Sequence, residues 1–513
     1  MDKRSFLFST FGQKKFLLDA VAILLFVILL SPIFSLFTEG IGVFSSGEIN
    51  LGNDGIKQIK GTLLLVIFSS LAGGMIGTAN AWLLTNCKFK GQKYLKFAQL
   101  LPLATPAYLL SAILIDIGSI YGIRIHGMIW GVLVMSMTTY PYVFLLSSES
   151  FAKCGQSQFE ACRSLGVGPW SSFMRISLPL AIPSIGAGIA LLAMEVINEL
   201  GAVQLLNIPS ISAGIIENWI IQGNPSGAIS LAFIALLIVL ILVAYEKRLR
   251  RNSRRWSEGI NRREREKWEL KGIRAILAQS LAIIPTLFTL GIPCLWVMTN
   301  LNQIKQGFDL DIIQLTIRSF ILGILAASLT VFFAIFLSIC KRWNKSKLMR
   351  SISFLSGIGY SIPGAVIALA LLSFSSLKWS IPSLVLLLWG YSVRFLAVSK
   401  GGLDAGLERI NPNIDEAATI LGEEWPGILK KIHIPLLKGP IVVGALLIFV
   451  DTIKELPLTF VLRPFDFDTL SVRIFQYAGD ERMAESIVPG LIVLVLGLLA
   501  SIALMPSIDS KNI

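Results

Sequence analysis

Two pairs of acidic residues lie in strongly apolar stretches and are the first candidates for chemistry. Glu195 and Glu199 form one pair, and Asp451 and Glu455 form the other, each residue 256 positions after its counterpart. A spacing of four predicts that both carboxylates of a pair lie on one face of a helix. Charges within membrane segments normally face protein or a water-filled cavity. The pairs therefore predict an acidic lining of a translocation path, with oxygen atoms that attract a hard cation.

A purely structural role for the same carboxylates stays open. Lys454 lies three residues after Asp451, and Arg463 follows a few residues later. Pairing with either cation would neutralise the acidic charges inside the protein. Exposure at the outer surface would leave them without any special role.

The other reactive side chains form no catalytic or metal-binding pattern. The two histidines, His126 and His433, lie outside any metal motif, and the five cysteines lack metal or disulfide spacing. The sequence contains neither a phosphate-binding loop nor a nucleophile elbow. We therefore predict that this chain has no catalytic residue and no metal ligand, and that it binds no cofactor.

The composition is that of a membrane protein. Hydrophobic residues make up 54% and charged residues 15% of the 513 residues, whereas a soluble domain carries about 25% charged residues. The apolar residues form twelve runs long enough to span a bilayer. These runs are 16–37, 61–84, 97–115, 127–147, 180–203, 228–245, 273–298, 316–339, 353–373, 380–398, 437–460 and 487–506. We therefore predict an all-α integral membrane protein with about twelve transmembrane helices.

The distribution of Lys and Arg predicts the orientation of these spans. If the N-terminus lies in the cytoplasm, most of the 45 basic residues, Arg394 among them, fall on the cytoplasmic side. Both termini and the basic linker 246–272 are then cytoplasmic. This arrangement explains the net charge of +13 without nucleic acid as a partner. The linker is either an arm that binds anionic membrane lipid or a solvated connection that helps to set the topology.

One stretch of the sequence occurs twice and divides the chain into two repeats. The first loop covers 157–179 and the second loop 413–435, and matching positions differ by 256. The division predicts a first repeat at 1–245 and a second at 273–513, with six spans in each. An even number of spans makes the repeats parallel, and such repeats place a transport path at their interface.

Both loops share the signals of a short helix, a sharp turn and a second short helix. In the second loop, Asn413 precedes Glu416 by three residues, which predicts an N-terminal cap. Gly422 is placed for a left-handed residue that ends the helix, and Pro426 can open the next one. The corresponding residues of the first loop are Ser157, Glu160 and Gly166 at the offset of 256, and Pro169 at an offset of 257.

These loops resemble the cytoplasmic EAA loop of permeases in binding-protein-dependent ABC importers. That pattern is Glu-Ala-Ala, three residues, Gly, and a final Ile-x-Leu-Pro; the first loop has Cys162 for the second Ala, and the second has Ile434 for Leu. The resemblance implies that the loops dock two copies of a separate ABC ATPase, which binds ATP and Mg²⁺. The residues it assigns to ATPase coupling are Glu160, Ala161, Gly166, Pro179, Glu416, Ala417, Gly422 and Pro435.

A second resemblance concerns the substrate. The stretch from Lys454-Glu455-Leu456-Pro457 to Thr469-Leu470, with the fused twelve-span layout, resembles the Fbp-type iron(III) permeases. The resemblance implies a bacterial inner-membrane protein that receives iron(III) from a periplasmic binding protein. Fused thiamine permeases share the layout, and polyamine, sulfate and phosphonate permeases share the loop. Thiamine, a polyamine or another small solute is therefore the alternative substrate.

Proteins of other classes share some of these features. A secondary transporter or channel would also explain parallel repeats and acidic residues within the membrane. It would not require two capped cytoplasmic loops of identical spacing. An enzyme with a membrane-embedded site would need a catalytic constellation, which the sequence lacks.

Overall fold

The computed structural model describes residues 3–47, 51, 54–153, 168–255, 267–302, 310–344, 346–378 and 381–509. Over these ranges the chain is almost entirely helical. The α-helices are Lys3–Ser45, Gly55–Asn86, Gln92–Ala98, Ala107–Ile120, Met128–Lys153, Pro169–Ser172, Leu178–Asn198, Gly201–Leu205, Ile211–Ile216, Pro225–Arg255, Ile273–Thr286, Ile292–Thr299, Leu310–Trp343, Lys347–Leu355, Gly364–Lys378, Ser383–Arg409, Pro412–Ile420, Trp425–Ile428, Ile434–Leu436, Lys438–Lys454, Pro457–Leu462, Leu470–Gly479 and Met483–Asp509. The prediction of an all-α membrane protein is confirmed.

Shorter elements join or interrupt these helices. Two 3₁₀ turns lie at Leu101–Ala104 and Ile358–Ser361. Four π-helical turns lie at Phe173–Ser177, Glu217–Ile221, Leu287–Gly291 and Leu429–His433. Within the described ranges the strands are Cys87–Lys88 and Trp268–Glu269, which pair in parallel with Cys87 opposite Trp268.

The described helices account for all twelve predicted spans. Nine segments are long and apolar enough to cross a membrane, and three bent pairs of helices bring the number to as many as twelve. The nine are Leu18–Ser45, Gly55–Asn86, Met128–Ala152, Trp170–Asn198, Pro225–Leu249, Ile273–Thr299, Leu310–Trp343, Ser383–Arg409 and Met483–Ala503. The bent pairs are Gln92–Ala104 with Ala107–Ile120, Lys347–Ser361 with Gly364–Ser375, and Trp425–Leu436 with Lys438–Lys454. Each predicted span overlaps one of these segments or pairs.

The third and ninth spans are broken at equivalent prolines. The bends are 86° and 111°, and they fall at Thr105-Pro106 and Ile362-Pro363. A proline disfavours helical backbone at the residue before it. Thr105 (ψ 113°) and Ile362 (ψ 132°) are accordingly extended. The repeated proline thus produces the same break in both repeats.

The predicted bounds of the fifth span, 180–203, are wrong at both ends, and those of the eleventh, 437–460, are wrong at the C-terminal end. The helix of the fifth span begins earlier, inside the first loop, at Trp170, whereas the helix Lys438–Lys454 of the eleventh begins one residue after the predicted start and is bent by 75° from Trp425–Leu436. The two spans end at Asn198 and Lys454, because the next residue, Glu199 or Glu455, is extended with ψ near 130°. The apolar sequence continues past each Glu as a separate short helix, so hydropathy alone merges the two elements.

One compact unit consists of Met1–Gly47 and Ile313–Leu470. The N-terminal helix Lys3–Ser45 packs against the helices of the second repeat. Ser373 donates a hydrogen bond to Oε2 of Glu39 over 2.7 Å, and Asn344 donates one to Asp19. The first span therefore belongs to the same unit as the eighth to eleventh spans.

The other compact unit consists of Glu48–Ile312 and Ser471–Ile513. A buried amide joins the seventh span to the first repeat: Nε2 of Gln99 donates to the Ala282 carbonyl over 2.7 Å, and Asn80 donates to Oε1 of Gln99 over 2.8 Å. Such bonds contribute to helix association within membranes. The last helix packs closely here too, since a Cβ at Gly497 would lie 2.4 Å from the Ala104 carbonyl oxygen.

The compact units divide the chain at places other than the predicted repeat boundaries. The first span groups with second-repeat helices, and the seventh and twelfth spans group with first-repeat helices. The boundaries at 245 and 273 describe repetition in the sequence and stay a prediction. Of the linker 246–272, residues 256–266 lie outside the described residues, and its end pairs with the first repeat through the short strands.

Candidate coupling loop and buried charges

The first helix of the second loop is Pro412–Ile420, and it begins two residues earlier than predicted. Its N-terminal cap is Asn411, whose side-chain oxygen accepts a hydrogen bond from the Asn413 backbone N–H over 3.0 Å. The prediction of Asn413 as the cap is wrong. Pro412 takes the first helical position, where a missing N–H is harmless, so the cap moves to the preceding Asn.

The end of this helix confirms the left-handed glycine. Gly422 has a φ of +85°. The backbone N–H of Gly422 donates to the Thr419 carbonyl over 3.0 Å, and the backbone N–H of Glu423 donates to the Ala418 carbonyl over 3.0 Å. These two bonds form a Schellman motif, which satisfies the last carbonyls of a helix. A helix of nine residues thus has a defined end in an exposed loop.

The short helix presents most of its surface outward. Glu416 and Ala417 are exposed, and Ala418 is the only buried residue of the helix. At its end Ile420 is 85% and Leu421 is 83% exposed. Exposed apolar side chains at the tip of an ordered helix suit contact with another protein.

The rest of the second loop leads back into the membrane. A helix opens at Trp425 with Pro426 in its first turn, as predicted. The π-helical turn Leu429–His433 follows, and Pro435 lies exposed just before the span Lys438–Lys454. π-helical turns often occur at functional sites.

Part of the first loop lies outside the described residues. These residues, 154–167, include Glu160, Ala161 and Gly166, so their predicted roles stay predictions. From Gly168 onward the first loop repeats the second: Pro169 opens a helix, and Phe173–Ser177 forms a π-helical turn 256 residues before Leu429–His433. Pro179 lies in the first turn of Leu178–Asn198.

A network that the sequence did not single out joins the second loop to the ends of two spans. Arg342, in the last turn of the eighth span, donates from Nε to Oδ2 of Asp415 over 2.7 Å. Its Nη1 donates to the carbonyl oxygens of Leu407 over 2.6 Å and Ile410 over 3.1 Å. Asp415 immediately precedes Glu416. Arg342 thus links the eighth span, the end of the tenth span and the short helix.

His433 completes the network from the π-helical turn. Its fully buried ring donates from Nε2 to Oδ1 of Asp415 over 2.9 Å and lies 5.8 Å from the Trp343 ring. Burial by itself raises the pKa of the Asp415 carboxyl, but the bonds from Arg342 and His433 outweigh burial and lower that pKa below 3.8. Asp415 is therefore ionised at neutral pH. We call Arg342, Asp415 and His433 the clamp.

Two of the predicted path carboxylates serve as helix caps. Oε1 and Oε2 of Glu455 accept bonds from the backbone N–H groups of Leu458 and Thr459, both over 3.0 Å. Oε1 of Glu199 accepts one from Ala202 N–H over 2.9 Å. A carboxylate at a helix N-terminus satisfies unpaired donors and interacts favourably with the helix dipole. Both repeats therefore use the matching Glu to start the short helix that follows.

The second repeat adds a buried cation to this cap. Nε of Arg394 lies 4.0 Å from Oε1 of Glu455, and Nη1 donates over 3.4 Å to the carbonyl of Ile362 at the break of the ninth span. Arg394 is buried in the middle of the helix Ser383–Arg409. Its assignment to the cytoplasmic side stays a prediction. Its place inside the predicted run 380–398 was the signal for a buried charge.

The paired carboxylates do not share a helix face. Glu195 and Asp451 lie within helices, but Glu199 and Glu455 follow the helix ends with extended backbone, so the spacing-of-four prediction is wrong. Asp451 forms an ion pair of 3.3 Å with Lys454, and Glu195 accepts a 3.1 Å bond from Tyr142. Structural pairing, the alternative left open from the sequence, thus describes Asp451. A role of the four carboxylates in a translocation path stays a prediction.

Among the residues that the structure covers, no group of three or more His, Cys, Asp or Glu is placed to hold a metal ion.

The profile of the binding-protein-dependent transport system inner membrane component matches the chain twice, at residues 69–255 and 330–505.

The chain belongs to this permease family.

Individual relatives agree with the family and differ in substrate. The chain is 25% identical over 465 residues to the Fe(3+)-transport system permease protein FbpB 2 of Haemophilus influenzae, covering 89% of this chain and 90% of that one. It is 31% identical over 159 residues to the sulfate transport system permease protein CysT of Escherichia coli. That match covers 29% of this chain and 57% of the relative.

Membership of this permease family shows what kind of protein the chain is. It is a multi-pass permease of the inner membrane with two family domains in one chain. Permease subunits of this family are not themselves enzymes, and they work with an ABC ATPase and a substrate-binding protein. The chain resembles fused permeases of the Fbp type over nearly its whole length.

Proposed function

We propose that this permease imports iron(III) into the cytoplasm, driven by ATP hydrolysis on a separate ATPase. The observation that supports iron is the length of the match. Similarity to the Fe(3+) permease covers 89% of this chain, whereas similarity to the sulfate permease covers 29%. The iron relative is thus similar across both family domains. A thiamine, polyamine or other small-solute permease of the same mechanism is the alternative.

The loops give this proposal its mechanism. A periplasmic binding protein delivers iron(III) to the outer face, and one ATPase subunit docks on each loop. In the second loop the docking surface is the helix Pro412–Ile420, with exposed Glu416, Ala417 and Ile420 and the ordered turn at Gly422. Closure of the ATPases on ATP would move both loops and switch the permease from inward-open to outward-open. ATP and Mg²⁺ bind to the ATPase, and this chain contributes no catalytic group.

Uptake by cells tests the substrate. Cells that lack their own iron, sulfate and thiamine importers should take up radiolabelled iron(III) when this permease is produced with its ATPase and binding protein. Labelled sulfate and thiamine supplied to the same cells should not accumulate. Accumulation of sulfate or thiamine without iron would refute the iron assignment while leaving the ATP-driven mechanism intact.

The orientation is a further proposal, supported by the distribution of basic residues. We expect both termini and the linker 246–272 in the cytoplasm, together with both loops. Fusions at Ser257 and Asn512 should be active with a cytoplasmic reporter and inactive with a periplasmic one. Activity of the periplasmic reporter at Ser257 would rule out six spans in the first repeat.

A further inference from the structure

The helix Pro412–Ile420, which is the proposed docking surface of the second loop, buries few apolar side chains. Ala418 is the only buried residue among Pro412–Ile420. A cavity of about 950 Å³ lies beside the helix, bordered by Asp415, Thr419 and Gly422 and by Trp425 of the next helix. The hydrophobic effect scales with buried apolar area. Burial therefore contributes little to holding this helix on the ends of the spans.

The clamp provides the attachment that packing does not. Asp415 receives a hydrogen bond from Arg342 on one oxygen and from His433 on the other. Arg342 also bonds to carbonyls at the end of the tenth span. Charge-assisted hydrogen bonds are shorter and stronger than neutral ones, and the planar guanidinium fixes their geometry. One side chain thus connects the short helix to two spans, and His433 connects it to the start of the eleventh.

The first loop cannot form the same clamp. At the constant offset of 256, Asp415 corresponds to Phe159 and His433 corresponds to Ser177. A phenyl ring accepts no hydrogen bond from a guanidinium comparable to that of a carboxylate. The two loops share their Glu, Gly and Pro, but the first loop lacks the Asp and His of the clamp.

We infer that Arg342, Asp415 and His433 are positioning residues that make the second loop the stiffer of the two connections between ATPase and spans. The inference rests on the proposed function, because it assigns the clamp to transmission of ATPase movement. Movement of the helix Pro412–Ile420 reaches the eighth, tenth and eleventh spans through polar contacts of fixed geometry. Breaking the clamp leaves the outward surface for the ATPase in place but loosens its connection to the spans.

Coupling in proteoliposomes tests this inference. The permease–ATPase complex with its iron-loaded binding protein is reconstituted, and iron imported per ATP hydrolysed is measured for wild type, Asp415→Asn, Arg342→Lys and the double variant. We expect each single variant to keep the ATPase bound and to lower the ratio about tenfold, within the range by which mutations change coupling. The double variant should be no worse than the single ones, because all three break one network. Lys271→Gln, which removes an exposed ion pair with Glu269, should keep the wild-type ratio.

Hydrogen–deuterium exchange on the wild-type complex tests the clamp without any substitution. Amides of Pro412–Ile420 should exchange at least about tenfold more slowly than those of the matching residues 156–164 of the first loop, as expected for a segment with a higher opening free energy. Equal exchange in both loops, or a wild-type ratio in Asp415→Asn, would overturn the inference. If wild type imports no iron with ATP, the proposed function fails, and the exchange measurement still tests the clamp.

Discussion

Replacing Gly422 by Val is expected to abolish ATPase binding through the second loop while the protein still inserts into the membrane. Gly422 has a φ of +85°, and no atom lies within 4 Å of a Cβ built there. The cost is therefore conformational strain, about 1–2 kcal/mol for an L-residue in the left-handed region. Because the loop is exposed, the chain can relieve this strain by losing the Schellman bonds, which changes the surface offered to the ATPase.

Two matched variants separate this effect from a general loss of glycine. Gly422→Asn should retain ATPase binding, since Asn tolerates left-handed backbone. Gly401→Val, at an exposed glycine of the tenth span that also has open space around it, should bind normally. The measurement is co-purification of the ATPase with each variant. Normal co-purification and transport in Gly166→Val/Gly422→Val would show that these glycines do not shape the docking surface.

Replacing Glu455 by Gln is expected to reduce the amount of folded permease far more than Glu199→Gln. Glu455 is buried beside Arg394, and both of its oxygens accept backbone hydrogen bonds. Removing one partner of a buried ion pair costs about 3–5 kcal/mol, because the other charge is left uncompensated. Glu199 is only half-buried.

Neighbouring positions provide the controls for this prediction. Arg394→Met/Glu455→Gln removes both charges and should recover part of the loss. Gly364→Ala should resemble Glu455→Gln, since its Cβ would lie 2.7 Å from Oε1 of Glu455 and 3.1 Å from Nη1 of Arg394. Protein yield after detergent extraction and the thermal melting temperature are the measurements. Equal yields of Glu199→Gln and Glu455→Gln would show that the buried pair does not stabilise the spans.

Most of the fold can be predicted from residues that are close together in the sequence. Proline at 106 and 363 marks both breaks by a steric rule that involves only the preceding residue, and Gly422 is read from its place after a short helix. The sequence predicts Asn413 as the cap, but Asn411, two residues earlier, is an equally good candidate, and Pro412 between them decides for Asn411. Such competition between adjacent caps is settled by backbone geometry.

Tertiary contacts explain what the sequence could not show. Arg342 and Asp415 are 73 residues apart in the sequence. Arg394 and Glu455 are both buried, and both lie outside the loop motif. The duplication in the sequence also places the first span in the first repeat, whereas packing groups it with helices of the second. Pattern reading finds residues that act on their own segment, and it misses pairs whose partners come from other spans.

One measurement tests the central claim most directly: iron uptake by proteoliposomes that contain the permease, its ATPase and an ionophore mixture that collapses proton and sodium gradients. With iron-loaded binding protein outside and Mg²⁺–ATP available to the ATPase, we expect iron to accumulate and ATP hydrolysis to rise. Omitting the ATPase should stop uptake. Uptake that continues without the ATPase, or that needs an ion gradient instead of ATP, would contradict the account and identify a secondary transporter or channel.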